Sequence, residues 1–264
     1  MNNITYYWIN MDTATNRKEF MENQFNELSL KNERISAITP VDLPRILQDK
    51  PPFFCGYSEC KTNNAKDCPI EYAVLCSHLS AIKKGYLSGD DYFIVCEDDI
   101  KFPFNINFQE MINRLPPSFH AIQLMVISSG HTEYFYENFY KNNIDFITYT
   151  PITPSAAFYL MTREGAKQLL DLYINKQTNK FDFTNCNYLK LADVLIFQTT
   201  FTFVSTFPFC FPVIKFKSQI HEHHYNAHKD AYETIIKKMV EGKNTNKFIL
   251  NYYPCEDLEK LFKS

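Results

Sequence analysis

YFIVCEDDIKF, running from Tyr92 to Phe102, is the stretch from which the rest of the chain can be read. Tyr92 to Cys96 are apolar or aromatic and rich in strand formers, the composition of a strand buried on both faces. Three carboxylates follow, Glu97, Asp98 and Asp99, and the chain turns apolar again at Ile100. Adjacent acids at the end of a buried strand repel one another. Hard oxygen ligands suit Mg²⁺ or Mn²⁺, and a divalent cation offsets that repulsion. The carboxyl end of a strand is also where open α/β sheets bind ligands. A solvated turn whose acids cap a helix is the competing reading of the triplet taken alone.

Upstream, the spacing predicts a helix from Pro69 to Tyr86. Ile70, Ala73, Val74, Ser77 and Ala81 share a face, proline suits the first turn and Gly85 sits near the end. Ser77 and His78 lie inside this apolar helix, where a buried, hydrogen-bonded histidine competes with a catalytic one. Residues 39–69 hold five prolines and no periodicity, a long loop of the kind that usually carries function. At the N-terminus ITYYWINM, residues 4–11, predicts a central strand. Asp12 and Thr13 offer caps for a helix over 14–30 with Phe20, Met21, Phe25 and Leu28 on one face. The turn from Asn10 to Arg17 would present backbone amides and Arg17 to a phosphate or a base. It has no glycine, so neither G-x-G-x-x-G nor a P-loop is present. A dinucleotide dehydrogenase and a P-loop kinase both lose ground.

Downstream, residues 108–115 are amphipathic, and the apolar run 121–127 predicts a strand. The aromatic-rich stretch 131–146, with Tyr134, Phe135, Tyr136, Phe139 and Tyr140, reads as packing, with sugar stacking as the alternative. A strand over 156–161 leads to a helix over 163–174 capped by Thr162. A further helix over 188–197 carries Asp193 among Leu189, Leu191, Val194, Leu195 and Ile196. An acid in such apolar company is either paired or doing chemistry. A strand over 201–206 follows, then a helical pattern over 231–240 and a short closing helix in the last dozen residues.

Composition narrows the classes. The chain of 264 residues is 45% hydrophobic and 16% aromatic, enough for a sizeable core. A net charge of −3 gives no support to a nucleic-acid binder. No signal-peptide pattern precedes Tyr6 and no apolar run approaches a membrane span, so the expectation is a cytoplasmic, non-secreted protein. Eight irregularly spaced cysteines are then expected as free, mostly buried thiols. Cys55, Cys60 and Cys68 lack the paired spacing of a zinc site.

Taken together, these pieces resemble glycosyltransferase family 25, the lipooligosaccharide and collagen β-galactosyltransferase type. YYWINMDTATNRKEFMENQF is similar to that family's opening strand, Asn-x-Asp-like turn and Arg-bearing helix. EYAVLCSHLSAIKKGY resembles its Glu-x-Gly-Cys-x-x-Ser-His-x-x-Ala helix, with Glu71, Ser77, His78 and Ala81 matching. FIVCEDDI resembles its Glu-Asp-Asp motif and SAAFYLMTREGAKQLL its Ala-x-x-x-Ser-x-x-Gly-Ala-x-x-Leu segment. LADVLIF and PVIKFKSQI resemble its last two blocks, and all run in the family's order over roughly residues 4–221. The departures are Ala73 and Val74 for Gly-Cys, and Ala192 for a proline or valine.

The resemblance implies a GT-A-like α/β fold: a single Rossmann-like domain with a mostly parallel central sheet flanked by helices. It would span residues 1–222, with a C-terminal helical extension over 223–264 packed on it. The implied activity is metal-dependent, inverting transfer of a hexose, such as galactose or glucose, from a UDP-sugar to a hydroxyl of a glycan or glycoprotein. Asp99 would hold Mn²⁺ or Mg²⁺, completed by His221 or His223. Asp98 would bond the ribose, and Glu97 would order the loop or contact the nucleoside. Asn10, Asp12 and Arg17 would touch base or phosphate, with Ser77 and His78 near the donor. Asp193 would be the base, a partly buried carboxylate suited to proton abstraction; a salt bridge to Arg163 or Lys190 is the competing reading. The family occurs in bacteria, animal secretory compartments and large DNA viruses. With no signal sequence, this chain is expected in a bacterium or an infected host cell, or associated with a virion. Two other classes stay open: a catalytically silent glycan-binding or scaffolding homologue, and a metal-dependent nucleotidyltransferase or hydrolase.

Overall fold

The computed structural model describes residues 4–48, 69–150, 153–216, 224–253 and 255. His221, His223, the three cysteines Cys55, Cys60 and Cys68, most of the proline-rich run and the expected closing helix lie outside the described residues. The chain opens with β1 (Thr5–Asn10), α1 (Thr15–Glu27) and β2 (Asn32–Ser36), then a short α2 (Leu43–Ile46) and a long α3 (Pro69–Ser88). β3 (Tyr92–Glu97) runs into β4 (Ile100–Lys101), β5 (Phe104–Ile106) and α4 (Phe108–Asn113). Next come β6 (Ala121–Gln123), α5 (Ser129–Asn138), β7 (Phe146–Thr148), β8 (Phe158–Thr162) and α6 (Arg163–Tyr173). α7 (Ala192–Thr199), β9 (Thr202–Ser205), β10 (Phe211–Pro212), α8 (His224–Gly242) and β11 (Ile249–Tyr252) follow.

Seven of the described strands form one sheet in the order β2-β1-β3-β8-β6-β9-β7. β8 and β7 run against the others, so the sheet is mostly parallel and flanked by helices, as expected from the sequence. Its period of two sorts the side chains into two cores. Tyr6, Trp8, Ile94, Cys96, Phe158 and Leu160 face one side, with Met21 and Phe25 of α1. Tyr7, Ile9, Phe93, Val95, Tyr159 and Met161 face the other, with α3, α6 and α7 residues such as Leu79, Ala166 and Leu195. Burial on both faces explains why β1 and β3 read as nearly unbroken apolar runs.

Several boundaries differ from the sequence reading, each for a local reason. Asp12 and Thr13 do not cap α1; its N-cap is Ala14, without a side-chain bond. Thr162 does cap α6, its Oγ1 accepting the Gly165 N–H at 3.0 Å. Of the run 121–127 only β6 is in the ladder. Leu124, Met125 and Val126 leave it yet stay buried, with the Leu124 carbonyl accepting the Phe209 N–H. The helix expected over 188–197 begins at Ala192, after an extended Leu191; ahead of it the Lys190 ammonium folds back onto the carbonyls of Cys186 and Tyr188. The 131–146 stretch forms α5 and β7, with Phe135 and Tyr136 buried, in line with packing. β2 went unread because NERIS is a partly exposed edge strand with no apolar run. Gly85 lies inside α3: a Cβ there would stand 2.5 Å from the Phe93 ring, so its absence lets α3 sit close on β3. Cys76, Cys96 and Cys210 are buried free thiols, and no described helix is long and apolar enough to cross a membrane.

The C-terminal part of the chain is fastened to this body in two ways. β11 pairs with β5, and α8 lies on α5. Between those helices Lys238 is 2% exposed, with Glu137, Glu133 and Glu241 carboxylates at 2.6, 3.0 and 3.4 Å. Removing this cation would leave three carboxylates facing one another beside an apolar helix contact. Lys238→Met is expected to lower unfolding free energy by about 1–3 kcal/mol at neutral pH, read from urea denaturation.

Candidate active site

Strand direction assembles one edge of the sheet into a site. In the parallel register Ile9 stands opposite Glu97, so Asn10 and the acids at 97–99 leave the sheet side by side. β8 runs the other way, so the residues before it arrive at the same edge, and the Glu97 N–H donates to the Ala157 carbonyl at 3.0 Å. The starts of α3 and α7 complete the rim of a cavity of about 410 Å³. Asn10, Arg17, Ser77, His78, Glu97, Asp98, Asp99 and Asp193 all line it. Eight positions spread over the sequence are thus brought to one place. Asp12 is not among them: its side chain is 71% exposed, and it pairs with Arg34 and accepts from Ser36.

The three acids have three different environments. Asp98 is buried and held on both oxygens, by Asn10 Nδ2 at 2.6 Å and by Arg17 Nη1 at 2.7 Å. Burial raises its pKa, against the pull of Arg17 and Asn10. Asn10 is itself fixed by Arg34, whose Nε donates to its Oδ1 at 2.8 Å. Asp99 accepts from the same Arg17 nitrogen at 3.1 Å. Burial pushes its pKa up to about 7; Arg17 opposes this, and the charges of Glu97 and Asp98 reinforce it. Glu97 pairs with His78 Nε2 at 3.2 Å, while His78 Nδ1 meets the Tyr159 hydroxyl at 3.1 Å. Both ring nitrogens of His78 are thus engaged, one by Tyr159 and the other by Glu97. Burial pushes Glu97 up, but the His78 bond outweighs it with help from His78, His228 and Arg17 charge, so Glu97 ends lowered. His78 is therefore both a buried, hydrogen-bonded histidine and the group that orients an acid of the site.

A carboxyl held near pH 7 beside two more acids marks a shortage of positive charge. The side-chain oxygens of these acids are hard donors, the chemistry that Mn²⁺ or Mg²⁺ takes. Among the described residues, no three His, Cys, Asp or Glu side chains form a group able to hold an ion.

Across the cavity, Asp193 sits on the first turn of α7, not in mid-helix as the sequence spacing suggested. Its Oδ2 accepts the Ser155 N–H at 3.0 Å. Neither expected cation reaches it: Arg163 lies over the Tyr86 ring, and Lys190 bonds the carbonyls before α7. Burial raises its pKa, the Ser155 N–H draws it down and Glu71 pushes it up. Ser77 is spent on the scaffold, donating to the Ala73 carbonyl at 2.7 Å and accepting the Ile38 N–H at 2.8 Å. Glu71, Ser155 and His228 also line the cavity and were missed as site residues. Glu71 carried a signal, an acid in the first turn of the apolar helix α3. His228 carried little, lying ahead of the stretch whose periodicity read as helix.

Three comparisons bear on this site. The family model described as glycosyltransferase family 25 (LPS biosynthesis protein) matches residues 3–185. No curated protein matches the chain. Among solved structures, mouse xyloside xylosyltransferase 1 in its apo form is similar with a TM-score of 0.32 at 13% identity. The likeness covers 74% of this chain and 66% of that one, so the chain spans just under two thirds of that protein's length. A likeness that distant says nothing of what this chain acts on.

Proposed function

The chain belongs to glycosyltransferase family 25, and from that premise we propose that it is a metal-dependent, inverting glycosyltransferase. Its donor is a UDP-sugar carrying a hexose, such as galactose or glucose, and its acceptor is a hydroxyl of a glycan or glycoprotein. The observation that carries this reading is the shared cavity: the acids at the end of β3 and the separate carboxylate of Asp193 line one space. Transfer needs both, a place for the diphosphate leaving group and a base for the acceptor hydroxyl.

Asp99 is the first ligand for Mn²⁺ or Mg²⁺, and Glu97 stands beside it with its orientation set by His78. When bound, the ion supplies positive charge against the two phosphates. Arg17 adds fixed positive charge at the same edge, and Asp98 keeps it there through their 2.7 Å bond. A ribose hydroxyl reaching Asp98 would share oxygens already held by Asn10 and Arg17. Asp193 takes the acceptor proton as the acceptor oxygen forms its bond to the anomeric carbon. The bond to the diphosphate oxygen breaks in the same displacement, and the electron pair leaves with UDP. One displacement of this kind inverts the anomeric centre.

Thermal shift with a panel of UDP-sugars, with and without Mn²⁺, tests the donor site. A donor at about a hundred times its Kd is expected to raise the melting temperature by roughly 5–10 °C, only with metal present, and not in Asp99→Ala. No shift with any UDP-sugar in the folded wild type would overturn the reading.

A further inference from the structure

Gln123 ends β6 with its side chain fully buried, and its Oε1 has no hydrogen-bond partner among the described residues. A buried amide oxygen without a partner weakens a fold, and an apolar residue of similar size would not. The other end of the amide is engaged. Nε2 faces the carbonyls of Ser155, Pro154 and Thr153 at 2.6, 3.2 and 3.4 Å. A flipped amide would set its oxygen against three carbonyl oxygens, so this orientation is determined.

Those carbonyls belong to a strained turn. Ser155 has φ 99°, a backbone region that residues with a Cβ rarely adopt, and surrounding structure must hold it there. The Ser155 Oγ accepts the Ala157 N–H at 3.1 Å and so ties the turn to the start of β8. What the strained conformation achieves is the direction of the Ser155 N–H, which points at Asp193 Oδ2.

We propose that Gln123 is a positioning residue for Asp193, its amide locking the 153–155 turn so that the Ser155 N–H fixes the Asp193 carboxylate at the cavity. The proposal rests on the reading of Asp193 as the base. The titratable groups facing Asp193 are Glu71 from α3 and Tyr149, whose hydroxyl donates to the Asp193 carbonyl at 3.1 Å. Tyr149 is itself bonded to Thr153 of the turn, so the change expected on altering Gln123 runs through the turn, whose Ser155 N–H is the group bonded to the Asp193 carboxylate. Losing it leaves burial and Glu71 less opposed, and the Asp193 carboxyl titrates at higher pH.

The test compares Gln123→Met, similar in size and without the amide, with wild type. The expected result is a kcat lower by about tenfold or more, a donor KM within about twofold, and an acidic limb moved to higher pH. The Asp193 carboxyl resonance in the substrate-free protein is expected to titrate at higher pH as well. Should Gln123→Met fail to fold, Gln123→Asn, whose amide is one methylene too short for the turn, is read in the same way. A folded Gln123 variant with unchanged kcat and unmoved Asp193 titration overturns the proposal, even if it melts earlier. Asp193→Asn separates the two readings: full activity there sinks the base assignment itself, whereas lost activity there with an unaffected Gln123→Met sinks only this proposal.

Discussion

Asp193→Asn is expected to lower kcat/KM by about 10²–10⁴-fold while leaving fold and donor binding intact. The substitution is nearly isosteric, and the Asn oxygen still accepts the Ser155 N–H that Asp193 Oδ2 accepts now. What disappears is the capacity to take a proton. Because burial raises Asp193 above its ordinary value, the wild-type rate should rise with pH along a limb lying above the usual carboxylate range. The sign follows from the role: a base works only when deprotonated, so activity is lost as pH falls through its raised pKa. A pH profile of kcat/KM for both proteins checks this. An unchanged rate in the variant, or a limb that persists without the carboxyl, would assign the base elsewhere.

Arg17→Leu carries the largest expected effect on stability, a loss of about 3–5 kcal/mol at pH 8, measured by urea denaturation. The Arg17 side chain is 6% exposed, and its Nη1 pairs with Asp98 and Asp99 together. Removing it buries two carboxylates without that cation. Phe216 also loses the guanidinium that lies over its ring at 5.4 Å. The pH dependence has a definite sign. Asp99 is raised to about 7 in the folded chain, so between the ordinary carboxylate range and pH 7 the folded state holds more protons than the unfolded state. Stability from this group therefore falls as pH rises through that window and is level above it. Without Arg17 the upper edge of the window moves higher. The deficit of the variant should shrink as pH is lowered toward 5, where protonation replaces the missing cation. A deficit equal at pH 5 and pH 8 would mean that Arg17 acts through packing alone.

Much of the architecture was legible because it depends on local patterns. β1 and β3 announce themselves as apolar runs because both faces of the central sheet are covered, and α6 by its cap and apolar face. The acids at 97–99 stood out in the sequence because adjacent carboxylates at the end of a buried strand repel one another, and in the structure all three line the cavity. What stayed hidden depends on contacts between distant residues. NERIS has no pattern of its own; it becomes β2 because β1 offers it a parallel partner. Asp12 looked like a neighbour of the phosphate turn, but Arg34 and Ser36 of β2 draw it to the surface.

The division between the acids shows the same boundary. Sequence alone placed Glu97, Asp98 and Asp99 together, together with the order of motifs around them. It could not rank them, since adjacent carboxylates in a chain are chemically alike. Only the tertiary structure separates them, by giving Asp98 to Asn10 and Arg17, Glu97 to His78, and Asp99 to a buried place beside Arg17 and its like-charged neighbours. It alone also set Asp193 against a strained Ser155 held by Gln123, residues 38 and 32 positions apart in the two contacts. The physical reason is that hydrophobic period is a property of neighbouring residues, whereas the charge state of a carboxylate is set by what the fold brings within a few ångströms of it.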